Sequence, residues 1–98
     1  MIKSFKEQGT KSVFNGHATR RARKVCPVKL WKVAVRKLDH LDSAEKIEDL
    51  RVPPGNRLEM LAGDRKGQYS IRINEQYRIC FIWSDDGPVN VEIVDYHT

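Results

Sequence analysis

The run Val52-Pro53-Pro54-Gly55-Asn56 separates two incompatible hydrophobic rhythms, and it constrains the fold more than any other feature of the chain. Two successive prolines remove backbone donors and fix φ, so neither a helix nor an interior strand passes through them. Before the break, Val28, Trp31, Val35, Leu38 and Leu41 recur at spacings of three and four, which predicts a helix with one buried face. Pro27 suits the first turn of that helix, where its missing N–H is an orphan anyway. Asp42-Ser43-Ala44 offers a cap for a further short helix over residues 44–50. Upstream, residues 6–14 form a weaker helix candidate ending at Asn15-Gly16, and residues 1–5 read as a short leading strand. The stretch His17–Lys24 has no apolar stripe and is expected to be a mobile basic loop.

After the break the period becomes two. Residues 57–61, 68–74, 77–84 and 88–96 are predicted as strands, joined by connections short enough for antiparallel hairpins. The expectation is an α+β domain spanning residues 1–98, with the N-terminal helices packed on one face of an antiparallel β-sheet. At 98 residues the chain has no room for a second core. One strand parity gathers Leu58, Met60, Tyr69, Ile71, Ile73, Tyr77, Ile79, Phe81, Trp83, Val89, Val91 and Ile93, the set that meets the helices. The other gathers Glu59, Ser70, Arg72, Asn74, Arg78, Cys80, Asn90, Glu92 and Tyr96. Two arginines, a glutamate and a tyrosine on a face turned away from helices make a platform suited to phosphate. Asp95 has core parity yet carries charge, which calls for a bulge or for hydrogen bonds that fix the end of the last strand.

Charge narrows the classes of partner. The net charge is +5, but residues 1–37 hold eleven Lys/Arg and one acid, whereas residues 38–98 hold seven Lys/Arg and twelve acids. A basic half of this kind favours a polyanion or an acidic partner. No apolar run approaches the roughly 20 residues that cross a bilayer, and the first residues lack the apolar stretch of a secretory signal. Cys26 and Cys80 form neither a metal spacing nor a disulfide framework, and Cys80, within Ile79-Cys80-Phe81-Ile82, reads as a buried thiol in a cytoplasmic protein. No phosphate loop, dinucleotide fingerprint or zinc motif is present, so neither cofactor nor metal is expected.

Several linked blocks then carry a resemblance. Pro54-Gly55-Asn56-Arg57-Leu58-Glu59, Gly63-Asp64-Arg65-Lys66-Gly67-Gln68-Tyr69-Ser70-Ile71-Arg72, Asn74-Glu75-Gln76-Tyr77-Arg78-Ile79-Cys80-Phe81 and Glu92-Ile93-Val94-Asp95-Tyr96-His97 resemble the HigB-type toxins of the RelE/ParE superfamily. The resemblance covers essentially the whole chain and is loosest over residues 17–24. It implies a RelE-like fold and a bacterial toxin of a type II toxin–antitoxin system. Such a toxin cleaves messenger RNA on the 70S ribosome without a metal, using the RNA's own 2′-hydroxyl. The implied partner is a HigA-like helix-turn-helix antitoxin, with operator DNA reached only through the complex.

That chemistry needs a group to take the 2′-hydroxyl proton, another to protonate the leaving 5′-oxygen, and cations for the charge developing at phosphorus. Arg78 and Arg72 supply forked donors to phosphate oxygens. Arg72 has a competing structural reading, because Glu92 lies across the sheet as an ion-pair candidate. Glu59 or His97 takes the proton, and Tyr96 and His97, at the end of the last strand, orient, stack on or protonate the RNA. The resembled toxins carry a histidine at the place of Glu59 and a lysine at that of Ala62. Arg65 and Lys66, in the adjoining turn, are candidates to replace that charge. Arg20, Arg21, Arg23 and Lys24 are candidate RNA or ribosome contacts. Two other functions fit the same superfamily: a ParE-like inhibitor of DNA gyrase, and an activity-poor relic that acts with its antitoxin in operator regulation.

Overall fold

The structure, a computed structural model, describes residues 1–96. Helices α1 (Gln8–Phe14), α2 (Arg20–Val25) and α3 (Trp31–Ser43) lie on one face of a sheet of four antiparallel strands. These are β1 (Glu59–Met60), β2 (Tyr69–Arg72), β3 (Tyr77–Ser84) and β4 (Gly87–Asp95), in the spatial order of the sequence. The α+β architecture expected from the two rhythms is therefore the one observed. Single 3₁₀ turns at Val28–Leu30, Ile47–Arg51, Pro54–Asn56 and Gly63–Arg65 complete the connections.

Between the layers, Val13, Leu38, Leu41, Leu50, Ile71, Ile79, Phe81, Val91 and Ile93 are almost fully excluded from water. Phe81 stacks on Tyr69 at 6.1 Å and receives the edge of Trp83 at 6.5 Å. The buried stripe of α3 is Ala34, Leu38 and Leu41. Val28, expected on that stripe, is 58% exposed, because the turn after Pro27 is 3₁₀ and rotates it away from the face continued by α3. The cap expected from Asp42-Ser43-Ala44 is supplied differently. Asp49 reaches back to accept the backbone N–H groups of Glu45 and Lys46, while Asp42 accepts the N–H of Ile2.

The stretch expected to be a loop at residues 17–24 is mostly helix. Thr19 caps α2 by accepting from the Ala22 N–H, and Ala22 is fully buried. With Val25 packed against the core and Cys26 buried just beyond the helix, so small an apolar set suffices because α2 meets α1 at backbone distance: a Cβ on Gly9 would lie 2.5 Å from the Arg21 carbonyl oxygen. An apolar stripe confined to Ala22, Val25 and Cys26, at the end of a run of cations, leaves only a weak periodic signal.

Both sheet edges are managed. Along β4 the outer backbone groups pair with Lys3, Ser4 and Lys6 of the leading segment and with the hydroxyl of Thr10, which accepts from the Ile93 N–H at 2.9 Å. The leading strand read from the sequence is thus a parallel bridge, Phe5 to Val91. At the other edge β1 is only two residues long, since Arg57 takes φ 46° and leaves the strand conformation. Two residues assigned by parity to the helix-facing set are placed elsewhere. Met60 is 73% exposed on this edge, beyond the reach of the helices. Val89 pairs with Ile82, because a bulge at Asn90, with φ 54°, inserts one residue into β4 and flips the parity beyond it.

Candidate active face and basic helix

Register assembles the candidate site. Arg72 of β2 lies directly opposite Arg78 of β3, on the face away from the helices. Like charges placed opposite one another oppose sheet formation, so the pair is a local cost that an anion would relieve. Arg72 Nε is buried and donates to no acceptor among the described residues. Arg78 is anchored through Nη1, which donates to the carbonyl oxygens of Asn74 at 2.6 Å and Glu75 at 3.1 Å. Its guanidinium carbon lies 6.0 Å from the centre of the Tyr96 ring, within cation–π range.

Two residues not singled out by sequence reasoning hold this arrangement. Asn74 accepts the N–H groups of Gln76 and Tyr77 and so shapes the turn whose carbonyls receive Arg78. Gln76 accepts the Tyr96 N–H at 2.7 Å and donates its amide to both carboxylate oxygens of Asp95 at 3.1 Å. The signal in the sequence was Asn-Glu-Gln between two strands, where an asparagine side chain closes the turn. Asp95 therefore fixes the end of β4 by hydrogen bonds, one of the two alternatives its parity required.

The next row of the same face is Glu59, Ser70, Cys80 and Glu92, opposite one another across the four strands. Glu59, at the exposed edge, stands diagonal to Arg72 and is two strands across and two residues along from Arg78, about 12 Å at ordinary strand spacing and rise. Glu92 does not pair with Arg72. Its Oε2 receives Arg65 Nη1 at 3.2 Å and Lys6 Nζ at 3.3 Å, and its side chain is 12% exposed. Arg65 also donates to Gln68 Oε1 at 3.1 Å, so its guanidinium is committed to this row. Ser70 and Cys80 are buried beneath, and burial pushes the Cys80 thiol up to about 11. Lys66 and Ala62 are exposed in the β1–β2 connection. His97 lies outside the described residues.

The second cationic cluster is separate in the fold. Arg20, Arg21, Arg23 and Lys24 are exposed on α2 and rim a depression of about 560 Å³. None has a carboxylate partner among the described residues; Arg23 donates to the Ala18 carbonyl. Elsewhere, His40 is bonded to the Asp49 carbonyl and His17 is exposed. Among the described residues no helix is long and apolar enough to cross a membrane, and no cluster of His, Cys, Asp and Glu has a metal-binding arrangement.

A family model described as a RelE-like toxin of the type II toxin–antitoxin system HigB matches residues 3–97. Toxin HigB-1 of Vibrio cholerae is 46% identical over 67 residues, which is 68% of this chain and 70% of that protein. An uncharacterized protein of Haemophilus influenzae is 43% identical over 72 residues, covering 74% of this chain and 70% of that one. Among solved structures, a chain of the YoeB-YefM complex from Staphylococcus aureus superposes with a TM-score of 0.60 at 16% identity, over 100% of this chain and 99% of that chain. That likeness is one of fold.

Proposed function

We propose, from the premise that this chain belongs to the HigB-like family of RelE-like type II toxins, that it is an endoribonuclease that cuts messenger RNA during translation. One observation carries the reading: Arg72 and Arg78 stand side by side on the open sheet face, and neither has a carboxylate partner among the described residues. A phosphodiester laid over this pair receives forked donors from both sides. The same donors strengthen as charge builds on the equatorial oxygens, which is where transition-state stabilisation is needed.

The 2′-oxygen attacks the adjacent phosphorus as its proton passes to a carboxylate, the P–O5′ bond breaks, and the 5′-oxygen takes a proton from water, to which the carboxylate later returns its own. The products are a cyclic phosphate and a 5′-hydroxyl, and the step needs neither a cofactor nor a metal. Glu59 accepts the 2′-proton: it is on the right face and makes no hydrogen bond or ion pair among the described residues, so its carboxylate is free to do so. Tyr96, packed beside Arg78, stacks on or orients a base. Arg20, Arg21, Arg23, Lys24 and the exposed Lys66 hold ribosomal RNA through its phosphates. The ribosome presents and aligns the message, which explains how so few chemical groups suffice. A HigA-like antitoxin neutralises the toxin, and both act in the bacterial cytoplasm.

Induced expression with genome-wide mapping of messenger 5′ ends tests this. Cuts at fixed positions within translated codons are expected. Intact messages in arrested cells overturn the reading, and blocked DNA supercoiling in those cells marks a gyrase inhibitor instead.

A further inference from the structure

The carboxylate that shares the open face with Arg78 on the neighbouring strand is Glu92, and the fold surrounds it with cations. Glu92 lies opposite Cys80, and Arg78 is two residues along from Cys80 on the same strand. Such diagonal neighbours lie about 7–8 Å apart at the backbone, within reach for a Glu and an Arg side chain. The Cys80 thiol between them feels both charges, together with those of Arg65 and Lys6. Yet the two side chains turn apart. Arg78 leans to the Asn74 and Glu75 carbonyls, while Glu92 leans to Arg65 at 3.2 Å and Lys6 at 3.3 Å.

Those two cations arrive from distant places: Lys6 from the leading segment beside β4, and Arg65 from the turn after β1. Both end on the same oxygen, Oε2. A carboxylate with a 12% exposed side chain needs partners when charged, and Arg78 is its obvious alternative. A Glu92–Arg78 pair would neutralise the face at the place where phosphate has to sit.

We infer that Lys6 and Arg65 are positioning residues that sequester the Glu92 carboxylate, keeping Arg72 and Arg78 free for the phosphate of an RNA strand. This rests on the nuclease reading for the identity of the anion. Arg65 therefore serves the site through Glu92 and does not itself touch RNA, unlike the role its sequence position suggested.

The distinguishing experiment is a rescue. Binding of a short 2′-O-methyl RNA, which cannot be cleaved, is measured by fluorescence anisotropy for the wild type, Glu92→Gln, Lys6→Gln/Arg65→Gln, and the triple variant, alongside thermal midpoints. The double variant is expected to bind up to about fivefold more weakly, because the released carboxylate takes Arg78. Glu92→Gln alone is expected to bind as tightly as the wild type, and the triple variant is expected to recover that affinity. A triple variant as weak as the double overturns the inference, since Lys6 or Arg65 would then contact RNA directly. An unaltered double variant also overturns it. A rescue confined to the thermal midpoint shows a merely structural ion pair and overturns it equally. If the four proteins follow the expected order while the wild type cuts no translated message, the inference stands and the nuclease reading is overturned.

Discussion

The arginine face and the basic helix α2 are both cationic, yet the fold treats their charges in opposite ways. Arg72 and Arg78 are half-buried, set opposite each other by sheet register, and one of them is anchored to a turn built by Asn74. Their positions are fixed to within what a hydrogen-bonded ladder allows. Arg20, Arg21, Arg23 and Lys24 instead project into water from a helix of six residues held down by Ala22 and the partly buried Val25. Long, solvated side chains of this kind give attraction without fixed geometry. The difference separates two requirements of acting on a polyanion: chemistry needs donors aimed at one phosphate, whereas docking needs only enough positive charge in the neighbourhood.

The sharpest way to break this distinction is Arg78→Ala. If the face carries out the chemistry, single-turnover cleavage should fall by about 10²–10³-fold, the cost of removing one aimed donor from a developing oxyanion. Affinity for ribosomes should be almost unchanged if α2 does the docking. Sedimentation with purified ribosomes measures the second quantity. Equal losses in both would merge the two regions into one. A folded Arg78→Ala protein as toxic as the wild type would remove the face from the mechanism.

Neutralising α2 is the reciprocal change and should have a smaller effect. With Arg20, Arg21, Arg23 and Lys24 all changed to Gln, ribosome affinity at physiological salt should drop by about tenfold or more. The salt dependence should flatten by roughly 0.7–0.9 for each phosphate that is no longer neutralised. The cleavage rate at saturating ribosome should stay near that of the wild type. Gly9→Ala sharpens the point without touching a charge. Its new Cβ would meet the Arg21 carbonyl at 2.5 Å, so α2 must shift on α1. Overpacking of this kind costs about 1–3 kcal/mol, measurable by urea unfolding. It should also weaken ribosome binding, while binding of a short RNA to the sheet face is retained.

What the sequence discloses follows the same division. Strand alternation is strict wherever one face is buried, so Arg72, Arg78, Glu59 and Tyr96 can be assigned to one face before any coordinates. Alternation fails where a residue is inserted, and parity misplaces Val89 because nothing in Pro-Val-Asn-Val announces that Asn90 adopts a positive φ. Helix α2 escapes the sequence for a different reason. Beyond the packing of Ala22 and Val25, it depends on a close backbone approach to Gly9 and on one cap, both tertiary or single-residue features to which a periodicity argument is blind. The partner of Glu92 is likewise illegible. Glu92, Arg65 and Lys6 are separated by long stretches of chain, and only the folded sheet with its leading segment brings them onto one oxygen.

The smallest effect tests whether the arginine face really has a rigid floor. Cys80 is fully buried between Ser70 and Glu92, and burial, with Glu92 adding to it, pushes its thiol from 9.0 up to about 11 against the opposing pull of Arg65, Arg78 and Lys6. Cys26 is raised to about 11 by burial alone. Between these values the folded protein keeps a proton that the unfolded chain releases. Stability from the two thiols is therefore fully present below pH 9 and is lost as pH rises toward 11. Urea unfolding of the wild type should show that decline, and a Cys26→Ala/Cys80→Ala variant should show less of it. At pH 8 a thiol reagent should modify Cys80 no faster than global unfolding exposes it. Rapid modification would mean that β3 opens locally beneath Arg78. The face would then be as loosely held as α2, and the contrast between aimed and diffuse charge would not survive.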